Sequence, residues 1–286
     1  PVQGRIAVIR GSGFYDFAEL EDRREEVVET PFGLPSDAII TGRLAGQPVA
    51  FLPRHGRGHR ITPTALPARA NIYALKRLGV DRIISVSACG SMREEIAPLD
   101  VVIPDQLFDR TKGRASTFFE GGIVAHVAFA DPFCAQLSAS LYESAQTVGA
   151  RAHQGGTYLC MEGPQFSTRA EARIYRQWGV DVIGMTALPE AKLAREAEIC
   201  YATLAFATDY DCWHETEEAV TVEMVVRNLL SNVETGKRII KDALPRLQPV
   251  GACPCAHALE NAIITPLDLV PSDTKERLGI LIHKYL

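Results

Sequence analysis

The sequence predicts an α/β fold: a single domain of three layers, in which helices flank a twisted, mixed central β-sheet. Short apolar runs rich in β-branched residues alternate with stretches of helical periodicity from residue 5 to about residue 246, a pattern typical of such domains. Hydrophobic residues make up 47% and charged residues 23% of the 286 residues, which is the composition of a globular protein. A chain of this length can bury a stable core without disulfides.

The net charge, the uncharged stretches and the cysteine content indicate which partners and which compartment to expect. The 30 basic and 35 acidic residues give a net charge of −5, which disfavours a general nucleic-acid binder. The longest uncharged stretch, residues 247–259, has 13 residues and is too short to span a membrane. Residues 1–5 do not resemble a signal peptide, and most of the 7 cysteines are scattered in apolar contexts. We therefore expect a cytoplasmic protein with mostly buried thiols, and neither a nucleic-acid nor a membrane partner.

Strands and helices alternate in the first part of the chain. Gly46 and Gln47 separate two strand-like runs and predict a hairpin. A helix over residues 64–78 is expected to be capped by Thr64 and ended by Gly79. A loop is expected at residues 88–91. The predicted strands of this part cover residues 5–9, 38–41, 49–52 and 82–87.

The alternation continues to the end of the domain. Asp131 is expected to open one helix, and Thr221 is expected to cap a long last helix. Four prolines follow Arg246, so we expect a main domain, residues 1–248, and a C-terminal extension, residues 249–286, that packs on the domain or on a neighbouring subunit. The predicted strands of this part cover residues 100–103, 157–161, 180–185 and 200–207, and the predicted helices cover residues 131–147, 168–178 and 189–198.

A cationic loop follows one of the predicted strands. Residues 54–59 read Arg-His-Gly-Arg-Gly-His, and arginine supplies paired donors suited to phosphate. His55 and His59 are four residues apart, but the intervening glycines disfavour a helix and no carboxylate is close in sequence. A metal site is therefore the weaker interpretation, and a solvated basic loop is a further alternative.

Two further loops at strand ends carry groups suited to an anion. Gly11-Ser12-Gly13 lacks the third glycine of the dinucleotide fingerprint, and it predicts either a tight turn or a small backbone nest for an oxyanion. Ser87-Ala88-Cys89-Gly90-Ser91 ends a buried strand, where α/β sheets collect ligands. Cys89 is more simply a buried thiol than a nucleophile.

Two carboxylates follow the last predicted strand, in Thr208-Asp209-Tyr210-Asp211. Such a pair can recognise or protonate a base-like ligand, although a turn cap or a divalent cation site is also open. Phe166 can stack on a flat ligand or belong to the core. An anion-binding set and a planar-ligand set at the strand ends of one sheet together predict a site for phosphate and a nucleoside.

These segments resemble, in the same order, the trimeric purine nucleoside phosphorylase family over residues 5–247. The resemblance also includes Thr30-Pro31-Phe32-Gly33, the run Glu162-Gly163-Pro164-Gln165-Phe166-Ser167, and Met185-Thr186 followed by Pro189-Glu190. It implies a pentosyltransferase of methionine and purine salvage, in which phosphate cleaves S-methyl-5′-thioadenosine into adenine and 5-methylthioribose 1-phosphate. A broader purine nucleoside phosphorylase, for adenosine or 6-oxopurine nucleosides, and a non-catalytic nucleoside-binding protein of the same fold are the alternatives.

The resemblance also implies roles for individual residues. Asp209 is expected to protonate N7 of the departing adenine, with Asp211 in support. The expected phosphate pocket comprises Ser12, Arg54, His55, Ser87, Ala88 and Thr186. The expected nucleoside site comprises Phe166, Ser167, Ile183, Met185, Val222, Val225, Val226 and, across a subunit boundary, His126. No metal or organic cofactor is implied, because phosphate is a co-substrate, and the assembly is expected to be a homotrimer or a dimer of such trimers.

Two features depart from the usual family pattern. Arg10 stands where the family usually has the first of two glycines before the position of Ser12, and we expect it to lie exposed beside the phosphate. Cys253-Pro254-Cys255 in the extension resembles an element of some thermostable relatives. Because cysteines separated by one residue form only a strained, reducible ring, a plain surface loop is the favoured interpretation.

Overall fold

A mixed β-sheet of eleven strands runs through the centre of the molecule, with helices on both faces. The structure is a computed structural model that describes residues 4–11, 17–214, 221–247 and 253–286, and the eleven strands lie within these ranges. The α/β fold with a mixed central sheet and flanking helices, predicted from the alternation of elements, is confirmed.

The strands are short except at the centre of the sheet. They are β1 (Arg5–Arg10), β2 (Glu21–Glu26), β3 (Ile39–Leu44), β4 (Gln47–Pro53), β5 (Val80–Ser91), β6 (Val101–Ile103), β7 (Gln106–Arg110), β8 (Ala152–Gln154), β9 (Thr157–Met161), β10 (Val182–Gly184) and β11 (Cys200–Asp209). The helices are α1 (Ala68–Arg77), α2 (Ala135–Thr147), α3 (Arg169–Gln177), α4 (Ala187–Glu196), α5 (Val222–Ala243) and α6 (Ser272–Leu278).

Strand β5 is the axis of the sheet. It pairs in parallel with β1 on one side and with β11 on the other, and its last residues, Gly90 and Ser91, pair antiparallel with β10. The order continues from β1 through β4, β3 and β2, and from β10 through β9 and β7, while β6 and β8 extend the sheet beyond β11. Because β1, β4, β5 and β11 are parallel, their carboxyl ends lie at the same edge of the sheet.

Apolar side chains fill both faces of the sheet. In β1, Ala7 and Ile9 face the core layer of α1 and α4, whereas Ile6 and Val8 face the layer of α2 and α5. Successive side chains of a strand point to opposite faces, so a strand buried on both faces is apolar throughout. This explains why the central strands are recognisable in the sequence as continuous apolar runs.

Three predicted boundaries are confirmed because local hydrogen bonds set them. The hairpin at Gly46 joins β3 and β4. Thr168 caps α3: its hydroxyl accepts from the Glu171 N–H, and the Glu171 carboxylate accepts from the Thr168 N–H. Thr221 caps α5 by accepting from the Met224 N–H. Turn and capping signals are carried by neighbouring residues, so the sequence alone reveals them.

The predicted loop at residues 88–91 is wrong, because these residues continue β5. Gly90 is paired with Asp209 of β11 and with Ile183 of β10, and these partners are distant in sequence. The edge strand β2 was not predicted either. All its residues are charged and nearly all are exposed, so it has no apolar alternation to signal a strand.

Two predicted helix starts are also wrong. Thr64 does not cap α1, which begins at Ala68, because the Thr64 hydroxyl donates to Glu162 instead. The helix expected to start at Asp131 begins four residues later, with Cys134 at its N-cap. The Cys134 N–H donates to the Tyr201 carbonyl, which holds the preceding segment against β11.

The C-terminal segment, residues 253–286, packs on the rest of its own chain. Ile263 forms an antiparallel bridge with Ala125, and Lys284 makes an ion pair with Glu198 at 2.6 Å. The predicted surface loop around Pro254 is wrong: Cys253 and Cys255 are buried within the apolar layer of α2 and α5. Among the described residues, no helix is both long and apolar enough to cross a bilayer.

Candidate active site

Residues from several strands meet at the edge of the sheet where the parallel strands end. Arg54 follows β4, Ser87 lies in the last part of β5, and Asp209 ends β11. Ile183 of β10 is paired with Gly90, which is itself paired with Asp209. The structure therefore brings the anion-binding and carboxylate motifs of the sequence to one place.

Protein groups already hold the guanidinium of Arg54, which is only 1% exposed. Its Nε and Nη2 donate to the two carboxylate oxygens of Glu190 at 2.9 Å each. Nη2 also donates to Ser85 Oγ at 2.7 Å, and Nη1 donates to the Val86 carbonyl at 3.0 Å. These bonds use four of the five N–H donors of a guanidinium. Burial alone would lower the pKa of Arg54, but the Glu190 carboxylate raises it, so the guanidinium stays charged within a buried ion pair.

Three hydroxyl groups meet next to this ion pair. Ser87 Oγ lies 3.0 Å from Tyr158 Oη and 3.4 Å from Thr186 Oγ1. Ser87 and Ser85, the partner of Arg54, are two residues apart on β5, so they share a face of the sheet. Thr186 immediately precedes α4, which is interrupted by the extended conformation of Leu188 (φ −121°, ψ 138°). The cluster offers hydroxyl donors to an anion without adding net charge.

His55 is buried, and it is neutral at neutral pH. Burial, followed by the positive charge of Arg54, lowers the pKa of His55 to about 4. Its Nδ1 donates to the Ile61 carbonyl at 2.8 Å, since a carbonyl oxygen can only accept. The ring stacks on His59 with centroids 4.2 Å apart. Ala88, whose backbone N–H was expected to bind phosphate, continues β5 opposite Phe206 of β11.

Of the predicted loop Gly11-Ser12-Gly13, the structure describes only Gly11. Ser12 falls outside the described residues. Arg10 is 3% exposed, so the prediction that it lies exposed is wrong. Alternation along β1 places Arg10 on the same face as Ile6 and Val8, where its Cζ lies 5.4 Å from the centroid of the Phe51 ring, within cation–π range.

The two predicted catalytic carboxyls are buried and adjacent. Asp209 Oδ2 accepts from Thr208 Oγ1 at 2.7 Å, and Asp209 Oδ1 accepts from the Asp211 N–H at 2.8 Å. Burial raises the pKa of Asp209. Burial, together with the negative charge of Asp209, raises the pKa of Asp211 to about 6. One of these carboxyls can therefore hold a proton near neutral pH, as a general acid requires.

Gly90 allows the carboxyl pair to sit against β5. A Cβ at this position would lie 3.1 Å from Asp209 Oδ1, 3.1 Å from Ile183 Cγ2 and 3.3 Å from Asp211 Cβ. Any larger residue would push the carboxyls and Ile183 away from the strand. Gly90 is thus a positioning residue that the sequence motif contained but did not explain.

Three other predicted nucleoside residues lie near the carboxyls or near the hydroxyl cluster. The Ser167 hydroxyl donates to Met161 Sδ at 3.7 Å, and its side chain is close enough to Asp211 to lower the pKa of that carboxyl slightly. Met185 directly precedes Thr186, and a Cβ on Gly163 would overlap its Sδ. Phe166, next to Ser167, leaves 45% of its surface exposed, so its ring is available for stacking on a ligand.

The apolar residues predicted from α5 are not enclosed within one chain. Val222 and Val226 are 68% and 47% exposed, while Val225 is half-buried. The helix is nevertheless tied to the site, because Asn228 Nδ2 donates to the Thr208 carbonyl at 2.5 Å. His126 is exposed, and among the described residues no hydrogen bond or ion pair joins its side chain to the carboxyl pair.

Two functional candidates were missed because their partners are remote in sequence. Glu190 was noted only as part of a family segment, yet it holds Arg54. No motif in the sequence marks Arg114 as functional. In the structure its Nε donates to Glu162 at 2.6 Å, and its Nη1 donates to the carbonyls of Met185 and Leu188 at 2.7 Å each. Arg114 thereby fixes the backbone on both sides of Thr186.

The likeness to known proteins is extensive in sequence. Residues 5–245 match the family described as the phosphorylase superfamily. The chain is 59% identical over 282 residues to the S-methyl-5′-thioadenosine phosphorylase of Geobacter sulfurreducens, covering 98% of this chain and 99% of the relative. It is 52% identical over 267 residues to the enzyme of that name from Hyperthermus butylicus, covering 92% and 97%.

Solved structures agree with the sequence relatives. A methylthioadenosine phosphorylase sourced from an Antarctic soil metagenomic library has a TM-score of 0.91 and 48% identity, covering 98% of this chain and 99% of that one. The methylthioadenosine phosphorylase of Schistosoma mansoni in complex with adenine has a TM-score of 0.82 and 35% identity, covering 90% and 96%. With these likenesses and the site at the edge of its sheet, the chain belongs to the phosphorylase superfamily and, within it, to the S-methyl-5′-thioadenosine phosphorylase family.

Proposed function

We propose that this protein is an enzyme that cleaves S-methyl-5′-thioadenosine with phosphate, giving adenine and 5-methylthioribose 1-phosphate. The observation that carries the proposal is the buried pair Asp209 and Asp211, with raised pKa values, on the same sheet edge as the hydroxyls of Ser87 and Thr186. A proton donor and an anion site so arranged suit a nucleoside whose base must leave as phosphate attacks.

Phosphate is assigned to the pocket formed by Ser12, Arg54, His55, Ser87, Ala88 and Thr186. Ser87 and Thr186 supply hydroxyl donors, and Arg54 has one N–H donor beyond those bonded to the protein. Because Glu190 neutralises Arg54 and His55 is uncharged, the pocket orients a dianion without trapping it through excess positive charge. A pocket of this kind suits a substrate that must react and not merely bind.

The reaction forms one bond to the sugar as another breaks. A phosphate oxygen bonds to C1′ of the thioribose, and the electron pair of the C1′–N9 bond leaves with the adenine. The transition state resembles an oxocarbenium ion, which the neighbouring phosphate dianion stabilises. Asp209, supported by Asp211, delivers a proton to N7, so that the base departs as neutral adenine.

The remaining proposed residues hold the nucleoside. Phe166 stacks on the purine, Ser167 supports Asp211, and Met185 contacts the ribose. Ile183 lines the base site, and Val222, Val225 and Val226 form the apolar wall for the methylthio group. We propose a homotrimer, in which His126 of one subunit completes a neighbouring site, working in the cytoplasm. The chemistry itself uses neither a metal nor an organic cofactor.

A panel of four nucleosides tests the proposed substrate. Purine release from methylthioadenosine, adenosine, methylthioinosine and inosine is measured with phosphate present. The expected order places methylthioadenosine first by kcat/KM, because its base has an N6 amino donor and its 5′ group is apolar. A preference for adenosine would mean that the α5 wall does not select the methylthio group, and a preference for inosine would overturn the assignment of the base.

A further inference from the structure

Four of the chain's 7 cysteines meet at one buried point, far from the chemistry described above. Cys134 precedes α2, Cys200 begins β11, and Cys253 and Cys255 lie at the start of the 3₁₀ turn Pro254–His257. All four are buried, and their sulfurs lie within 4.8 Å of one another. Three separate stretches of the chain therefore direct sulfur atoms into the same small volume.

The spacing of the sulfurs suits ligands around a common centre. Cys253 Sγ lies 3.4 Å from Cys200 Sγ and 3.6 Å from Cys134 Sγ. In a tetrahedral tetrathiolate site with Zn–S bonds of about 2.3 Å, the sulfurs lie about 3.8 Å apart. Since one sulfur has two other sulfurs at similar distances, the cluster does not divide into two separate pairs.

The backbone holds these side chains in place. The Cys134 N–H donates to the Tyr201 carbonyl at 2.8 Å, which fixes the start of α2 beside Cys200. The Ala256 N–H donates to the Cys253 carbonyl at 3.0 Å, which closes the turn that carries both tail cysteines. Cys134 also occupies the N-cap of α2, a 13-residue helix whose dipole favours a negatively charged sulfur at that end.

The donor set selects a particular class of metal. Four thiolates in tetrahedral arrangement favour zinc or iron over calcium and magnesium, which prefer oxygen ligands. A site whose four positions are all protein side chains leaves no position for water or substrate, which is typical of structural zinc. Zinc, with no redox chemistry of its own, fits a cluster that is buried and remote from the reacting atoms.

We propose that Cys134, Cys200, Cys253 and Cys255 bind one Zn²⁺ in a closed structural site. The ion joins the C-terminal segment to α2 and to the first residue of β11. Cys200 and Asp209 lie at opposite ends of β11, a separation of about 30 Å at the usual rise per residue. The site therefore stabilises the fold and the attachment of the tail, and it takes no part in the reaction at Asp209.

Metal analysis of the purified protein is the first test. Protein prepared with a mild reductant, without chelator and without a metal-binding tag, is expected to contain one zinc per chain by plasma mass spectrometry. The double variant Cys253→Ser, Cys255→Ser is expected to lose at least about 90% of that zinc. Cys160→Ser is the matched control, because Cys160 is equally buried but lies outside the cluster, and it should keep its zinc.

The wild-type protein decides the question even if the double variant does not fold. Replacing zinc by Co²⁺ is expected to give the intense near-ultraviolet absorption of thiolate-to-cobalt charge transfer and the visible bands of tetrahedral cobalt. Removing the metal with a chelator is expected to lower Tm by several degrees, and added Zn²⁺ should restore it. Octahedral cobalt spectra, or a Tm indifferent to chelator and zinc, would overturn the proposal.

Thiol counting distinguishes the two rival states of the cluster. After the metal is released under denaturing, non-reducing conditions, the proposal predicts that all 7 cysteines are alkylated. Unalkylated cysteines and an intact mass lowered by the lost hydrogens would show disulfides instead. Full alkylation of a protein that never held metal would show ordinary buried thiols. Either result overturns the proposal, and iron at one atom per chain overturns the assignment to zinc.

Discussion

Asp211 lies two residues after Asp209, where β11 ends, and has a φ of 53°, a left-handed conformation that aspartate tolerates better than most residues. This turn directs the Asp211 N–H to Asp209 Oδ1 and places a second buried carboxyl beside the first. Two buried carboxyls so close do not both ionise readily. A single residue's backbone conformation thus helps to keep a proton at the site near neutral pH.

Replacing Asp209 by asparagine tests the proton donor. A protonated carboxyl can accept from the N6 amino group of adenine and donate to N7. Asp209→Asn is expected to lower kcat/KM for methylthioadenosine roughly a hundredfold or more. It should also raise the ratio of 6-oxopurine to 6-aminopurine turnover, since the amide NH₂ can donate to O6. Steady-state kinetics with methylthioadenosine and methylthioinosine measure kcat/KM for each and hence the ratio. If kcat/KM falls equally for both nucleosides, the role of Asp209 is structural.

The raised pKa of Asp211 predicts a pH-dependent effect on stability. An aspartate in the unfolded chain has a pKa of about 3.9, whereas the pKa of Asp211 in the folded chain is about 6. The folded chain therefore binds more protons between these values, and the wild type loses stability as pH rises through that window.

Asp211→Asn removes this loss. The free energy of unfolding of the variant minus that of the wild type is expected to increase by about 1 kcal/mol between about pH 5 and about pH 7. Urea unfolding at both pH values provides the two differences. A difference that stays constant or falls as pH rises would show that Asp211 does not hold its proton more tightly in the folded chain.

At the residue scale, the sequence predicts chemical types better than partners. Arg54 and Asp209 are recognisable because their motifs follow apolar strands. Glu190 is the partner of Arg54 across 136 residues of sequence, and only the fold brings the two together. Arg10 was misplaced for a related reason: its burial depends on which face of β1 it occupies, and that follows from the strand and not from its charge.

The two halves of helix α5 differ in their surroundings. Its second half is anchored, since Val233 and Ile239 belong to the core. Its first half exposes Val222, Val226 and Leu230, which are four residues apart and form one stripe. Asn228, within this half, donates to the Thr208 carbonyl next to Asp209, which ties this half of the helix to the end of β11.

Polar substitution of the first half of α5 tests the methylthio wall. The double variant Val222→Ser, Val226→Ser is expected to raise the KM for methylthioadenosine about tenfold, because an apolar group loses its burial, and to change the KM for adenosine much less. Leu230→Ser is the matched control, as it is equally exposed but two turns from the start of the helix. An equal rise in KM for both nucleosides would show that Val222 and Val226 do not recognise the 5′ substituent.

At the element scale, predictability follows the range of the interactions that set each boundary. The Thr221 cap of α5 and the hairpin at Gly46 are local, and both were predicted. The last residues of β5 are a strand only because β10 and β11 lie beside them. The start of α2 depends on a hydrogen bond from Cys134 to Tyr201, which no nearby residue signals.

The site of a single chain is open on the side of α5, and the whole molecule is expected to be a homotrimer. His126→Ala is expected to raise the KM for methylthioadenosine about tenfold through loss of one polar contact, with Tm unchanged because the side chain is exposed. His257→Ala, another exposed histidine, is the control. Light scattering after size exclusion gives the assembly, and a fully active monomer would contradict the shared site.

At the scale of the molecule, alternation of apolar strands and helices is sufficient to predict the α/β architecture, because it repeats along the whole domain. The cysteine cluster could not be predicted in this way. Cys134 and Cys253 are 119 residues apart, and Cys200 and Cys253 are 53 apart. Such spacings match no local metal-binding pattern, so the tail cysteines alone suggested only a surface loop.

Two threonines provide matched variants for the phosphate pocket. Thr186→Val removes a hydroxyl next to Ser87 and is expected to raise the KM for phosphate about tenfold. Thr203→Val removes a buried hydroxyl of β11 that has no hydrogen-bond partner among the described residues, so it should leave that KM unchanged. Both substitutions keep the shape of the side chain, and only the first touches the proposed pocket.

The rate of adenine release from S-methyl-5′-thioadenosine, measured as phosphate is varied from none to saturation, tests the proposed reaction most directly. Phosphorus NMR of the same mixtures counts the sugar phosphate formed. The proposed reaction predicts that release depends on phosphate and saturates, with one 5-methylthioribose 1-phosphate for each adenine. Release at the same rate without phosphate, giving free methylthioribose, would show a hydrolase, and no release at any phosphate concentration would show a binding protein.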